Sequence, residues 1–245
     1  IAAGSNIVYA NTFGANRYKL KGNSVEEIIS AGISIAKKAC GEKALTALDI
    51  GPIGQLLEPT GTLTFEEAYS IFKEQIIAGK DADIIVFETM TDLYELKAAV
   101  LAARENSDKP ILCTMTFEEN MRTFTGCSIP SMALTLNGLG VDAMGINCSL
   151  GPKQLAPVCE ELMKWTNVPV ILKPNAGLPD PVTNKYDVLP EDFAEQMKTA
   201  ALYGVSIFGG CCGTTPEYIS KLKSVLEKTD IKREKITIPA AVCSS

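Results

Sequence analysis

Cys211 and Cys212 stand side by side in Gly209-Gly-Cys-Cys-Gly-Thr-Thr-Pro-Glu217, just after a short apolar run. A third cysteine, Cys148, closes a similar run, Asp142-Ala-Met-Gly-Ile-Asn-Cys148. The chain has eight cysteines and no histidine, so a metal held here would be held through sulfur. Zinc suits such a set. It takes thiolates at about 2.3 Å, and its catalytic sites keep three protein ligands and one exchangeable position. Neighbouring residues of a regular strand point to opposite faces. Gly209, Gly210 and Gly213 remove side-chain bulk and free the backbone, so that both cysteines can aim at one ion. The chemistry implied is activation of a sulfur nucleophile. A free thiol titrates near pH ~8.5 and is mostly protonated at neutral pH, whereas a metal-coordinating thiol is deprotonated outright.

Two plainer readings compete. A buried free cysteine is a small hydrophobe, which suits Cys40, Cys113 and Cys159. A glycine loop ahead of the Pro216 helix start could also cradle a phosphate.

The elements that must position these thiols alternate regularly. Apolar runs at 6–10, 45–50, 84–88, 111–116, 143–148, 168–173 and 205–208 read as strands buried on both faces, as in a parallel sheet. Amphipathic stretches separate them. Ser24 with Glu27, Thr64 with Glu67, and Asp92 with Glu95 place an acid three residues after an N-cap residue. Pro152, Pro190 and Pro216 mark first helical turns, with Thr215 as a cap. Glu66, Glu67, Lys73 and Glu74 read as a solvated helix face.

Seven strand–helix units suggest a doubly wound sheet or a (β/α)₈ TIM barrel. The barrel needs one more unit, which is expected to lie upstream of Ile1 and to be missing from this chain. The sequence opens on Ile1 without an initiator methionine and ends on Cys243-Ser-Ser245, so it reads as a segment of something longer. The barrel domain is assigned to residues 1–228, and 229–245 to a tail leading to a further domain. Active sites of such barrels lie at the C-terminal strand ends. There the chain places Asn11-Thr12, Asp49, Glu88-Thr89, residues 114–116, Asn147-Cys148, residues 173–175 and Cys211-Cys212.

Composition narrows the classes. The net charge of −6, without a basic stripe, argues against nucleic acid and anionic membranes as partners. No apolar run is long enough to span a bilayer, and no basic-then-apolar segment opens the chain. Cysteines in such a chain read as reduced thiols, so the expected compartment is the cytoplasm.

Three motifs, Gly145-Ile-Asn-Cys-Ser-Leu-Gly-Pro152, Lys173-Pro-Asn-Ala-Gly177 and Gly209-Gly-Cys-Cys-Gly-Thr-Thr-Pro-Glu217, resemble those of the homocysteine S-methyltransferase family. Asn11-Thr-Phe-Gly14, Gly51-Pro52 with Leu57-Glu-Pro59, and Phe87-Glu-Thr89 are similar to further motifs of that family, in order along the chain. Within it, the chain is most similar to the N-terminal homocysteine-binding modules of cobalamin-dependent methionine synthases.

The resemblance implies a Zn²⁺ enzyme that transfers a methyl group to the thiol of homocysteine. Cys148, Cys211 and Cys212 match the zinc thiolates, and Asn175 matches a displaceable fourth ligand. Glu88 matches the acid that holds the substrate ammonium group, and Thr12 and Asn11 lie in a motif lining the substrate pocket. The resemblance also implies methylcobalamin as donor, carried by another domain, with folate- and cobalamin-binding domains of the same parent chain as partners. The family's first strand and its Asp-Gly-rich loop do not occur in the sequence, so the homocysteine pocket is expected to be incomplete here.

Other functions remain open at this point. Relatives with the same cysteines use S-methylmethionine or betaine as donor. Lys173 at a strand end could instead form a Schiff base with a carbonyl substrate. A structural zinc in a scaffold module would close its tetrahedron with four protein ligands, and the remaining candidate, Cys243, lies in the tail.

Overall fold

A computed structural model describes residues 1–241 and 243. Its elements alternate as expected: β1 (Ile7–Tyr9), α1 (Arg17–Leu20), α2 (Val25–Cys40), β2 (Leu45–Ile50), α3 (Phe65–Ala78), β3 (Ile84–Met90) and α4 (Leu93–Asn106). They continue with β4 (Ile111–Met115), α5 (Ile129–Gly138), β5 (Ala143–Asn147), α6 (Pro152–Met163), β6 (Val170–Lys173), α7 (Pro190–Leu202), β7 (Ile207–Phe208) and α8 (Pro216–Leu226). The strands follow one another in the sheet in chain order, β1 to β7, and the pairs β1–β2, β2–β3, β5–β6 and β6–β7 are parallel. This is the strand order of a (β/α)₈ barrel, with seven units among the described residues.

The strands of β4, β5 and β6 are buried throughout, and β2 is buried except at Leu45. Apolar strands flanked by helices on a parallel sheet give that pattern, which is why the runs read as continuous rather than alternating. Most strands differ from the sequence reading by one or two residues at one end or both, and two of the differences bear on the site. β3 runs on past Glu88 to Met90, so Thr89 too belongs to the strand itself. β7 starts only at Ile207 and is reduced to Ile207–Phe208, because Val205 N–H is taken up by Ala200 O at the end of α7, 3.2 Å.

The chain divides into two compact units, with β4 contributing Ile111 to Cys113 to the first and Thr114 and Met115 to the second. In the first unit, Ile29, Ile33, Ala36 and Cys40 form the buried stripe of α2, at the three- and four-residue spacing of an amphipathic helix. Phe72 of α3 meets Phe87 of β3 edge to face, centroids 6.0 Å apart. In the second unit, Phe193 of α7 and Tyr218 of α8 make the same kind of contact at 5.4 Å. Such aromatic pairs add about 1 kcal/mol beyond the area they bury.

The helix starts sort into three kinds. Thr64 and Glu67 form the full reciprocal capping box on α3. Ser24 caps α2 by accepting from Glu27 N–H, 3.2 Å. Asp92 caps α4 through Tyr94 N–H, 2.9 Å, but Glu95 does not close a box with it. Its carboxylate turns inward and accepts from Ile53 N–H at 2.7 Å. Pro152, Pro190 and Pro216 open α6, α7 and α8 as expected, although Thr215 at the α8 cap makes no side-chain cap bond.

From 229 to 241 the chain forms no helix or strand. It is nonetheless tied to the second unit: Arg233 Nη2 donates to Thr166 O at 2.8 Å, and Asn167 and Ile236 exchange two bonds of 3.0 Å. The tail expectation for residues 242, 244 and 245 lies outside the described residues. No helix among the described residues is long and apolar enough to cross a membrane.

Candidate metal centre

The second unit brings Cys148, Cys211 and Cys212 together. Their sulfurs all lie within 4.8 Å of one another, and Cys148 and Cys212 are 3.9 Å apart. Two thiolates on one tetrahedral zinc at 2.3 Å must stand roughly 3.8 Å apart, so the set fits that ion. Among the described residues no other group of three or more metal-binding side chains occurs. Cys243, the candidate for a closed four-sulfur site, lies instead by Thr135 Oγ1 at 3.3 Å.

Backbone geometry aims the sulfurs. Cys148 follows β5 directly and keeps the ladder by donating its N–H to Lys173 O, 3.0 Å. It and Ser149 then take positive φ, 65° and 62°. A left-handed conformation is uncommon for non-glycine residues, and two in succession swing the Cys148 side chain out of the strand's alternation. Cys211 donates its N–H to Pro174 O, 2.8 Å, and Ala176 donates to Cys212 O, 2.9 Å. The Lys173-Pro-Asn-Ala segment is thus bonded to the Cys148 turn on one side and to the Cys211-Cys212 turn on the other. A side chain at Gly210 would strike Thr214, whose atoms come within 2.4 Å of the position a Cβ would take. Only glycine lets the turn close there.

Two amides hold the sulfurs. Thr114 Oγ1 donates to Asn147 Oδ1 at 2.8 Å, which turns Asn147 Nδ2 toward Cys211 Sγ, 3.8 Å away. Asn175 Oδ1 accepts from Cys212 N–H at 3.1 Å, and the Asn175 side chain also hydrogen-bonds Cys148. Hydrogen bonding and burial pull the Cys148 thiol in opposite directions. The hydrogen bond from Cys211 is the largest influence on it, and with those from Ser149 N–H, Cys212 and Asn175 it brings the thiol down to about 6 against the cost of burial. Cys212 moves the other way, raised first by desolvation and then by the charge on Cys148. A thiol poised low beside its partners is the microenvironment of a metal ligand or a reactive cysteine. Cys113 and Cys159, both fully buried, are instead pushed up by desolvation, Cys159 to about 12. They are inert core residues, as the sequence suggests.

Of the other expected site residues, Asn11, Thr12 and Glu88 belong to the first unit and Lys173 to the second. Thr12 is buried, and its hydroxyl donates to Asp49 O at 2.8 Å and accepts from Asp49 N–H at 3.1 Å. Asn11 is exposed, with φ 57°. Glu88 is half-buried on β3, beside Thr89 with φ 59°. Lys173 is buried, and its aliphatic stem lies against Gly209, 3.1 Å from the position a Cβ would take there. The sequence reading missed Tyr186, whose hydroxyl hydrogen-bonds Cys212. It lies far from any motif, so no local pattern pointed to it.

The homocysteine S-methyltransferase family model matches residues 1–226, nearly the whole chain. The chain belongs to the homocysteine S-methyltransferase family. Among family relatives, the chain is 31% identical over 251 residues to the methionine synthase of Mycobacterium tuberculosis, covering 94% of this chain and 21% of that protein. It is 30% identical to that of Mycobacterium leprae, covering 92% and 20%. The chain therefore spans about a fifth of the length of these curated relatives. The solved structure of the homocysteine methyltransferase MmuM from Escherichia coli, metallated form, superposes with a TM-score of 0.77. It covers 91% of this chain and 80% of that one at 21% identity. The oxidized form gives 0.78 at 20% identity. At that identity the likeness shows the fold: this family member is α/β, matching an incomplete TIM barrel.

Proposed function

We propose that this chain is the homocysteine-activating module of a cobalamin-dependent methionine synthase. The observation that carries it is the sulfur set: three thiols within 4.8 Å of one another, in a chain of this family that is 31% and 30% identical to two methionine synthases. Cys148, Cys211 and Cys212 would hold zinc, leaving one exchangeable position, with Asn175 as the group that yields it. Bound there, zinc supplies the Lewis acidity that makes a substrate thiol a thiolate at neutral pH.

The chain's own residues do the rest. As zinc ligands the three cysteines would all be thiolates, and their excess negative charge would keep an incoming homocysteine sulfur electron-rich. Asn147 and Asn175 hold the cysteines in place. Glu88 is assigned to the substrate ammonium group, and Asn11 and Thr12 to the lining of the amino-acid pocket. Thr12 would shape that lining from behind, because its hydroxyl is engaged by Asp49 and its methyl lies against Gly32 of α2. In the transfer, the homocysteine sulfur forms a bond to the methyl carbon, the donor's bond to that carbon breaks, and its electron pair stays with the donor. Methylcobalamin is the proposed donor, presented by another domain of a longer parent chain. Folate- and cobalamin-binding domains would follow the 229–245 tail. A cysteine set that must stay reduced suits a cytoplasmic protein.

A stand-alone homocysteine methyltransferase using S-methylmethionine or betaine is the second reading. It is favoured by the likeness to MmuM, of which this chain covers 80%. A donor panel separates the two. Zinc-loaded protein with homocysteine should form methionine from methylcobalamin and not from S-methylmethionine or betaine. Turnover with either of the latter alone would overturn the first reading.

A further inference from the structure

Between β6 and α7, residues 177–188 fold into a small hairpin with its own bonding. Pro179 and Tyr186 pair as an antiparallel bridge. The Asp180 carboxylate accepts from Val182 N–H, Thr183 N–H and Thr183 Oγ1 at 3.0, 2.7 and 2.9 Å. At the base, Leu178 N–H donates to Asp187 Oδ1 at 2.9 Å, and Val188 N–H donates to Ala176 O at 3.1 Å. Tyr218 on α8 anchors the same strand by donating to Val188 O, 2.8 Å. Residues 178–185 are exposed, but Tyr186 is half-buried. The hairpin holds that one aromatic side chain inward.

The Tyr186 ring lands on Gly213. A Cβ at Gly213 would sit 2.4 Å from Tyr186 Cγ and Cδ2, so the ring occupies the space that a side chain there would need. Gly213 also has φ 80°. The glycine after the cysteine pair is therefore required twice, once for its backbone angle and once as the socket of a ring twenty-odd residues upstream. From that seat the Tyr186 hydroxyl reaches the Cys212 sulfur as a hydrogen-bond donor.

We propose that Tyr186 is a positioning residue of the cysteine centre: its ring in the Gly213 socket sets the Cys211-Cys212 turn, and its hydroxyl fixes the Cys212 sulfur. The proposal rests on reading the three cysteines as a metal centre and adds a group that no cysteine motif contains. Partners that orient metal ligands through hydrogen bonds typically contribute about 10- to 100-fold to metal affinity. Tyr186 would be such a partner for Cys212, as Asn147 is for Cys211.

Two measurements test it, one of them without metal. In metal-free reduced protein at fixed pH, alkylation by iodoacetamide is followed for each cysteine by mass spectrometry. Tyr186→Ala, which empties the ring's seat beside the cysteine turn, should alkylate Cys212 severalfold faster than the unaltered protein. Tyr186→Phe, which keeps the ring and loses only the hydroxyl donor, should be no faster than the unaltered protein. Cys113 and Cys159 should keep their slow rates, which separates a local effect from loss of the fold. Equal Cys212 rates in all three proteins would overturn the proposal, as would parallel acceleration at Cys113 and Cys159. In the second measurement, zinc affinity is read by competition with a chromophoric chelator. Tyr186→Phe should keep one zinc per chain and bind it about tenfold more weakly; unchanged affinity in both variants overturns the proposal. Failure of the unaltered protein to bind zinc would sink the metal-centre reading instead, while the alkylation rates still decide the role of Tyr186.

Discussion

Asn175 ties Cys148 to Cys212: its side-chain oxygen accepts from the Cys212 N–H at 3.1 Å, and the same amide hydrogen-bonds the Cys148 sulfur. Two sulfurs 64 residues apart in sequence thus share one carboxamide, and that carboxamide belongs to the loop bonded to both cysteine turns. The arrangement lets a residue assigned to the exchangeable position also hold the ligands around it.

Asn175→Ala should therefore weaken zinc binding by about tenfold while leaving the stoichiometry at one, since the thiols remain. Chelator competition reads both quantities. An affinity equal to that of the unaltered protein would show that the amide plays no part in holding the set.

Glu95 predicts a pH dependence of stability. Burial raises its carboxyl from 4.5 to about 7, outweighing the Ile53 N–H bond that favours the charged form; Asp92 raises it further and Lys19 lowers it. A raised carboxyl means that the folded protein holds a proton which the unfolded chain releases. The stability tied to Glu95 is complete below about pH 4.5 and is lost as pH rises through 7. A shift of this size corresponds to about 3 kcal/mol. Glu95→Gln keeps an acceptor for Ile53 N–H but cannot ionise. In denaturant unfolding it should match the unaltered protein near pH 5 and exceed it by about 3 kcal/mol at pH 8. Parallel curves across that range would contradict the assignment.

Gly145 predicts a steric limit in β5. A Cβ there would lie 1.9 Å from Ile171 O, a backbone atom of the neighbouring strand. Backbone cannot give way as a flexible side chain can, so Gly145→Ala should cost about 3 kcal/mol or more. Because β5 ends next to Cys148, zinc affinity should fall as well. Thermal unfolding and zinc titration of the variant check the two effects.

Much of this was legible in the sequence, for identifiable reasons. Buried parallel strands write themselves as apolar runs, so the β/α order could be read directly. The Thr64–Glu67 box is local, with both partners within one turn, and the cysteine set was marked by thiols at strand ends flanked by glycine. What escaped were contacts made through space. Asp92 and Glu95 have box spacing, yet Glu95 is drawn inward by a backbone N–H 42 residues away. Tyr186 has no motif around it, and its meaning appears only once its ring is seen on Gly213. The consecutive left-handed residues Cys148 and Ser149 carry no glycine to announce them. Their conformation is imposed by the Lys173-Pro-Asn-Ala segment bonded beside them.

Zinc X-ray absorption of the loaded protein, recorded before and after adding homocysteine, tests the central claim most directly. The account predicts three sulfurs and one lighter ligand around zinc before addition, and four sulfurs after it. A count that stays at three, or that is already four without substrate, would contradict a centre built to bind and activate the homocysteine thiol.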